Sequence, residues 1–513
     1  MRMTDISRRS VGAVLGLGGV TLATGSAAPP SVGARGVFNV LDHGALAGGA
    51  RLSTKGLQSA VDACSQAGGG IVYFPPGVYL SGTIVLKNGV TLHLAPGSVL
   101  RGSPKLEDYP SHVPAMRSYT DNYTEKSLIY AENVHNAGIE GRGVIDGQGA
   151  AFQGPYKVRP YTMRFIGCRN VWISDISIRD SPMWVQHYLG CENVSIRGIE
   201  VRSRVNQNND GIDIDCCERV RISDCDIWSG DDAIVLKSTA DKPCKDVAIT
   251  NCVLSTLCNA LKMGTETNGG FENIAISNCT IYDTRLAGIA LEIVDGGLMD
   301  RVAISNITMN GVGAPIFVRL GDRARPFVEG GAGPSKGAMR NVTISGIEAV
   351  RCSRTGCAVA GLPGHPIENV TIENVRLSFD GGGTAGDAVQ EVPENPDKYP
   401  EFHMFGKVLP AYGFYCRHVK NLKLRDIETR YEQKDGRPAL VAEDVDGFEL
   451  AGASLAVEPD SGACVRLKQV KDAFVHGCRA ASSSHAYVHA TGSPDVYLTG
   501  NDLRRAGKEI DSA

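Results

Sequence analysis

A short alternation of apolar and polar residues recurs along most of this sequence. The clearest copies have Asn, Asp or Arg, then Val or Ile, one variable residue, Ile, and Ser or Thr. The copies return about every 22 to 28 residues, with two longer gaps, and such a period is typical of a solenoid. They begin at Asn170, Asn193, Arg219, Asp246, Asn273, Arg301, Asn341, Asn369, Asn421, Gly447 and Asp495.

Each copy has the signature of a short β-strand. Strict alternation places one set of side chains inside and the other outside, and β-branched residues dominate the inner set. Helical periodicity is absent between the copies, and no Leu-x-x-Leu-x-Leu consensus of a leucine-rich repeat is present. The sequence therefore predicts an all-β fold, a parallel β-helix without crossover helices.

One helix is predicted, over residues 53 to 67, where it would cap the N-terminal opening of the solenoid. Ser53 or Thr54 can serve as its N-cap, and Gly68-Gly69-Gly70 ends it. An apolar stripe follows one face of the segment, formed by Leu57, Ala60, Val61 and Cys64. Strands over 71–74 and 89–94 are expected to begin the coils.

Two insertions interrupt the repeat, near residues 321–337 and 380–409. The second is rich in Pro and aromatic residues, among them Pro393, Pro396, Tyr399, Pro400, Phe402 and Phe405. Long insertions in a regular fold often act as lids or binding loops, although a surface excursion with its own small cluster is the alternative. We expect residues 31–513 to form a single β-helix catalytic domain with these two insertions.

The N-terminus has the pattern of an export signal. Ser7-Arg8-Arg9-Ser10 precedes the apolar stretch 11–23, and Ser26-Ala27-Ala28 supplies small residues for cleavage. This predicts a twin-arginine signal over residues 1–30, with a periplasmic or secreted product that does not bind a membrane after signal removal. A disordered arm or a membrane anchor is the alternative.

The net charge and the cysteine content indicate which partners and covalent links are expected. With 52 basic and 56 acidic residues the formal net charge is −4. The chain therefore lacks the positive electrostatic field that would attract a nucleic acid partner. The fifteen cysteines are an odd number, and Cys225, Cys252 and Cys279 recur at the repeat interval, which favours packing positions over disulfides. No metal site or cofactor is predicted, and the sequence does not indicate an oligomeric state.

Acidic residues concentrate on two consecutive coils. Asn208-Asn209-Asp210 lies one turn before Ser229-Gly230-Asp231-Asp232, so Asp210 should lie beside Asp231 and Asp232, only ~5 Å away in backbone terms. Like charges this close should raise the pKa of at least one carboxyl, as acid–base hydrolysis requires. Spacing alone also permits a calcium site or a solvated surface.

Around these aspartates the sequence resembles glycoside hydrolase family 28, the polygalacturonase family. The resemblance spans roughly residues 36 to 310 and is carried by these motifs: Asn208-x-Asp210, Gly230-Asp231-Asp232, Ala233 to Ser238, Gly68-Gly69-Gly70, Pro75-x-Gly77, and Ser181-Pro182-Met183-Trp184 with His187. It implies a right-handed parallel β-helix and an inverting hydrolysis. By resemblance, Asp231 is the general acid, and Asp210 and Asp232 position and deprotonate water.

Two family motifs are altered. The family's Gly-His-Gly falls at Cys258-Asn259-Ala260, and its Arg-x-Lys, which holds the substrate carboxylate, falls at Ala290 and Glu292. A glutamate repels a uronate where a lysine would bind it. Either Lys262, Arg285 or Arg319 supplies the missing positive charge, or the sugar is neutral or basic.

The predicted substrate-binding residues are those expected to surround the aspartates: Asn208, Trp184, His187, Asn259, Lys262, Glu266, Glu292 and Arg319. Trp184 is either a sugar-stacking platform or a packing residue, and His187 either lines the cleft or satisfies a turn. Lys262 and Glu266 share one face of a strand with Gly264, so both can point to the cleft.

We therefore expect a metal-independent inverting glycoside hydrolase that acts on a pectin-like or related plant or algal polysaccharide, or on its oligosaccharides. A polysaccharide lyase on the same fold and a non-catalytic glycan-binding β-helix are the alternatives, because the family's His and Arg-x-Lys are absent.

Overall fold

Parallel strands stack along the whole length of this protein. The computed structural model describes residues 36–120, 123–328 and 330–512, so the predicted export signal lies outside the described residues. Residues Gly36–Ala513 form one compact unit. Within the described part of the chain, no helix is long and apolar enough to cross a membrane.

The strands wind into three parallel sheets, and each coil contributes one strand to each sheet. Sheet A carries the candidate site, and several of its strands continue into the next sheet. Its strands are Ile84–Val85, Ser127–Glu132, Tyr161–Ile166, Gln186–Leu189, Ile212–Asp215, Ile234–Ser238, Leu261–Thr267, the ends of Phe271–Ile293 and Leu298–Leu320, Cys357–Ala360, the starts of Phe414–Gln433, Leu440–Ala451 and Ala463–His476, then Ser484–Thr491 and Ala506–Ser512.

The two other sheets complete the coil. Sheet B contains Val37–Asn39, Gly70–Phe74, Val90–Leu94, His135–Gly141, Arg169–Ser174, Glu192–Arg197, Glu218–Ser223, Cys244–Thr250, the sheet-B parts of the long strands including Ala338–Cys352 and Ile367–Gly381, and Val496–Thr499. Sheet C contains Gly48–Leu52, Gly77–Ser81, Ser98–Gly102, Val144–Asp146, Ser177–Arg179, Glu200–Ser203, Asp226–Ser229, Val253–Thr256, Ser454–Leu455 and Arg479–Ala480.

The recurrent apolar positions form the core, as the alternation predicts. Val194, Val220, Val247, Ile274 and Val302 are register partners on successive coils and are all buried. Complete burial of each such side chain contributes roughly 1.5–3 kcal/mol. The β-helix therefore has one continuous core that runs along its axis.

The turns between sheets explain the recurrent Asn and Asp. Asn170 and Asn193 both adopt a positive φ, near 55°, which Asn tolerates better than most residues. Their side chains also pair between coils, because Asn193 Nδ2 donates to Asn170 Oδ1 at 2.7 Å. The Asn residues therefore shape the turn and link neighbouring coils.

The capping helix α1 is confirmed and runs over Thr54–Gln66, with its apolar stripe buried. Ser53 occupies the N-cap position, but its hydroxyl hydrogen-bonds the backbone of Leu46 rather than the first turn of α1. Short 3-10 turns occur at Val40–His43, Leu106–Asp108, Gly149–Ala151, Tyr156–Val158, Asp387–Val389 and Pro459–Ser461.

Both predicted insertions are present between strands. The first separates Leu298–Leu320 from Ala338–Cys352, and the second separates Ile367–Gly381 from Phe414–Gln433. Phe402, Phe405 and Leu409 of the second insertion are buried against sheet A residues, including Ala290 and Phe317. The insertion thus lies on sheet A beside the candidate site.

Candidate active site

Three consecutive coils bring the candidate acids together at the edge where the strands of sheet A begin. Ile212, Ile234 and Leu261 are register partners, and Asp210, Asp232 and Asn259 each precede one of them by two residues. The backbone N–H of Gly211 donates to Asp232 O at 2.9 Å, which fixes the first two coils against each other. The one-turn spacing in the sequence therefore does place these side chains on adjacent strands.

Asp232 lies in an environment that stabilises its ionised form. Its Oδ1 accepts hydrogen bonds from the backbone N–H of Asn259 at 3.1 Å and from Asn259 Nδ2 at 2.9 Å. Lys262 Nζ lies 3.0 Å from its other oxygen. Burial alone would raise the pKa of Asp232, but Lys262, Lys237 and the Asn259 hydrogen bond together lower it below its ordinary value.

Asp231 has the opposite tendency although it is the adjacent residue. Burial, and then the negative charge of Asp232, raise the pKa of Asp231. Its Oδ1 accepts the backbone N–H of Asp232 at 2.9 Å, and it is less buried than Asp232. Within this pair, Asp231 therefore favours its protonated form and Asp232 favours its ionised form.

Asp210 and Asp213 share a buried ammonium group. Lys237 Nζ lies 3.6 Å from Asp210 Oδ2, and also 3.6 Å from Asp213 Oδ1 and Glu266 Oε2. Burial raises the pKa of Asp210 well above its ordinary value, and Asp213 and Asp231 raise it further. Asp210 Oδ1 has no hydrogen-bond partner within the described residues. Asp210 thus favours a protonated carboxyl, whereas the family resemblance pairs it with Asp232 as a base.

Glu266 and Glu292, both predicted as substrate-binding residues, differ in protonation. Burial would raise the pKa of Glu266, but Lys237, Arg325 and Arg323 hold it well below its ordinary value. Burial raises the pKa of Glu292 to about 8, against the opposing charge of Lys262 at 3.8 Å. Below that pH Glu292 is mostly neutral, so its repulsion of a uronate is weaker than the sequence alone implies.

Four predicted substrate-binding residues have structural contacts, and three of them, Trp184, His187 and Arg319, are buried. Trp184 is 4% exposed, with Lys237 Nζ 4.7 Å from its ring, and His187 is fully buried with Nε2 3.1 Å from Asp215. Asn208 Oδ1 accepts a hydrogen bond from Arg159. Arg319 is fully buried and donates to the carbonyls of Gly361, Glu394 and Asn395. Packing is therefore favoured over sugar stacking for Trp184, and Arg319 anchors the second insertion rather than a sugar.

The replacement cations differ from those expected. Of the three candidates only Lys262 contacts the acids, because Arg285 is exposed and donates to Leu257 O. Arg323 and Arg325, from the first insertion, were missed by the sequence analysis. Arg325 Nη2 lies 3.1 Å from Glu266 Oε1, and Arg323 Nε donates to Asp295 Oδ1 at 2.9 Å. No repeat position marks these arginines, so the sequence carried no signal for them.

Tyr399 is a further missed residue. This residue is 56% exposed, and Lys262 Nζ lies 3.3 Å from its hydroxyl. Arg323 also faces this ring at 5.7 Å. An exposed aromatic face beside polar groups is the arrangement that stacks against a sugar ring, and its only sequence signal was the aromatic content of the second insertion.

Loops from three parts of the chain surround the acids. Tyr123 stacks on Tyr156 at 4.2 Å, and Tyr119 contacts Phe327 of the first insertion at 5.5 Å. The second insertion approaches the site through Tyr399, whose hydroxyl lies beside Lys262 Nζ. We refer to the region that these loops and the acids border as the pocket.

One group of side chains has the geometry to hold a metal ion. Single ligand atoms of Asp231, Asp232 and Cys258 lie within 4.8 Å of one another. Lys262 already provides the counter-charge for Asp232, so a cation would compete with its ammonium group. The absence of a metal therefore stays a prediction from the sequence.

Known proteins are similar to this chain over most of its length. A family model for glycosyl hydrolases family 28 matches residues 78–397. A probable polygalacturonase from Vitis vinifera is 28% identical over 66% of this chain and 74% of that protein. An endo-polygalacturonase from Pectobacterium carotovorum subsp. carotovorum is 26% identical over 64% of this chain and 85% of that protein.

Among solved structures, a hyperthermoactive exopolygalacturonase from Thermotoga maritima matches with a TM-score of 0.59 at 21% identity, covering 77% of this chain and 91% of that one. This likeness confirms the predicted fold, a right-handed parallel β-helix.

Proposed function

Since this chain belongs to glycosyl hydrolases family 28, we propose that it cleaves glycosidic bonds of pectin-type polysaccharides or their oligosaccharides by inversion, with Asp231 as the general acid. Residues 31–513 form the catalytic domain in this proposal. Residues 1–30 direct export by the twin-arginine route to the periplasm or the exterior.

The opposite pKa directions of Asp231 and Asp232 carry this proposal. Glycoside hydrolysis needs one protonated carboxyl for the leaving oxygen and one carboxylate that activates water. Two neighbouring acids whose surroundings push their pKa values apart supply that pair. Asp231 keeps its proton for the leaving group, and Asp232 accepts the proton of the attacking water.

The attacking water is proposed to lie between Asp232 and Asp210. Asp210 favours its protonated form and has a buried oxygen without a partner, so it can hold the water by hydrogen bonding. Oxygens of Asp231 and Asp232 lie within 4.8 Å, less than the ~6.5–9.5 Å that usually separates acid and base in inverting enzymes. Product stereochemistry therefore tests the mechanism independently of the residue assignment.

The charge around the pocket supports an acidic sugar. Lys262, Arg323 and Arg325 surround it, and Glu292 is mostly neutral below about pH 8. In this proposal these cations take the place of the charge that the family has at residues 290 and 292, while also pairing with Asp232, Asp295 and Glu266. The loops near the acids further support exo action, since loops over a site admit a chain end more readily than an internal segment.

The test measures reducing ends released from polygalacturonate and its oligomers, with the product anomer followed by NMR. The native protein should release the inverted anomer, and Asp231→Asn should lower kcat by about 10³-fold or more with an unchanged unfolding temperature. Asp224→Asn, on an exposed turn, is the matched control and should be fully active.

Other outcomes would contradict the proposal. Full turnover by Asp231→Asn would refute its role as the acid, and a retained anomer would refute inversion. Unsaturated products that absorb in the ultraviolet would identify a lyase instead. Binding without any new reducing ends would identify a non-catalytic glycan-binding protein.

A further inference from the structure

A cavity opens on sheet A, over the C-terminal coils. Its volume is about 780 Å³, within the range of ligand-binding sites. Its floor follows one row of register partners, from Tyr415 through Val441, Arg466 and His489 to Asp511. We call this cavity the distal groove.

The same row of sheet A connects the distal groove to the candidate site. Lys262 pairs with Ala290, and the row continues through Phe317 and Ala358 to Tyr415. Four strand spacings place Lys262 about 19 Å from the start of the groove. The two sites thus lie in line along the axis of the β-helix.

A single stretch of the second insertion lies between the acids and the distal groove. On one side, Tyr399 contacts Lys262 in the pocket. On the other side, Val392 and Glu394 line the groove, and Arg417 Nη1 lies 3.1 Å from Glu394 Oε1. A polymer that crosses this wall from the pocket would therefore reach the groove.

The chemistry of the distal groove fits a chain of sugars. Part of its lining consists of small residues, Gly462, Ala463 and Ala486. Above the floor, Glu443 Oε2 accepts from Tyr415 Oη at 3.0 Å, and Glu443 Oε1 accepts from Lys468 Nζ at 2.6 Å.

The groove carries charged side chains of both signs. Arg417, Arg466 and Lys468 oppose Glu391, Glu394, Glu443 and Asp511, and His489 Nδ1 lies 3.3 Å from Asp511 Oδ2. Such a lining offers donors and acceptors close together, as sugar hydroxyls require, whereas an apolar peptide segment would leave these polar groups unpaired.

We propose that the distal groove is a second glycan-binding site that holds a distant segment of the polysaccharide whose end enters the pocket. This inference rests on the proposed function for the identity of the polymer. Occupying both sites with one chain raises the local concentration of chain ends at the acids. The increase in the local concentration of chain ends is therefore confined to polymers long enough to reach both sites.

The experiment compares two double variants of the full chain. Lys468→Ala/His489→Ala changes the groove, and Lys471→Ala/His476→Ala, which changes residues outside the groove lining, is the matched control. Binding to polygalacturonate is measured by affinity electrophoresis in the Asp231→Asn background. Hydrolysis of polygalacturonate and of its dimer is measured in the active background.

The groove variant should bind the polymer about tenfold more weakly than the control variant. Its kcat/KM should fall on the polymer and stay unchanged on the dimer. Equal binding of polymer by the two variants, or a failure of both to bind, would overturn the proposal. Groove-dependent binding without any hydrolysis would refute the proposed function while leaving the distal groove a glycan-binding site.

Discussion

At the scale of single residues, the candidate acids differ because of what neighbouring coils bring to them. Asp231 and Asp232 are adjacent in the sequence and have the same intrinsic acidity. Lys262 and Asn259, on the following coil, contact Asp232, and this separates the two pKa values. Asn259, which stands at the altered family position, thus stabilises the ionised form of Asp232, the proposed base, by hydrogen bonding.

Removing the ammonium group of Lys262 should change the pH dependence of the reaction. Because Lys262 lowers the pKa of Asp232, Lys262→Met should raise it, and the acidic limb of kcat/KM should move upward by about one to three pH units. Lys245→Met, which removes a lysine paired with Glu218 away from the site, is the control and should leave the profile unchanged. An unshifted acidic limb for Lys262→Met would refute the role of Asp232 as the base.

Glu292 provides a second test that depends on pH. Its carboxyl is mostly neutral below about pH 8, so Glu292→Gln should bind a galacturonate oligomer as well as the parent protein at pH 6. Above pH 8 the parent carboxyl ionises and repels the uronate, so its affinity should fall about tenfold relative to the Gln variant by pH 9.5. Calorimetric titrations in the Asp231→Asn background measure this difference. A large loss of affinity for Glu292→Gln at pH 6 would show that the charged form binds the sugar.

At the scale of elements, the second insertion determines the shape of the site. Phe405 is 3% exposed, and the guanidinium groups of Arg319 and Arg417 lie 5.3 and 5.0 Å from its ring. Both arginines also bond carbonyl groups of the same insertion. Buried cations therefore hold this insertion on sheet A, with Tyr399 beside Lys262.

Phe405→Ala should loosen the insertion and change the pattern of cleavage. Loss of a buried phenyl ring costs about 3–5 kcal/mol, and this cost should appear as local opening because the insertion lies outside the main core. Internal segments of the polymer could then enter, so viscosity should fall faster per reducing end released. Lys407→Ala, on an exposed residue of the same insertion outside the groove lining, is the control. An unchanged ratio of viscosity loss to reducing ends would contradict closure by the insertion.

At the scale of the whole molecule, contacts between successive coils replace disulfide bonds. Asn421 Nδ2 donates to Asn369 Oδ1 at 2.9 Å, and Asn369 Nδ2 donates to Asn341 Oδ1 at 3.0 Å. All fifteen cysteines are within the described residues and are free, as expected for repeat positions. Cys225, Cys252 and Cys279 each donate to the carbonyl two residues earlier.

The free thiols lead to a prediction about stability and labelling. Reductant should leave the unfolding temperature unchanged, because the described fold contains no disulfide to break. Burial raises the pKa of most of these thiols, for example that of Cys64 to about 11, so an aromatic disulfide reagent should modify at most Cys258 in the native protein. Thiol counts before and after denaturation measure this. A fall of several degrees in reductant would reveal a disulfide.

The sequence by itself determined the coil, its capping helix and the meeting of Asp210, Asp231 and Asp232. These features follow from local rules, because strand alternation, Asn at positive φ and a one-turn spacing act within one or two neighbouring coils. Tertiary structure decided which carboxyl favours its proton, why Arg319 is buried beneath the second insertion, and how Arg323, Arg325 and Tyr399 come to lie near the acids. Those residues lie in insertions without periodicity, so their positions depend on packing against sheet A. A pKa, in turn, depends on the sum of burial and charge from every coil and loop that surrounds the group.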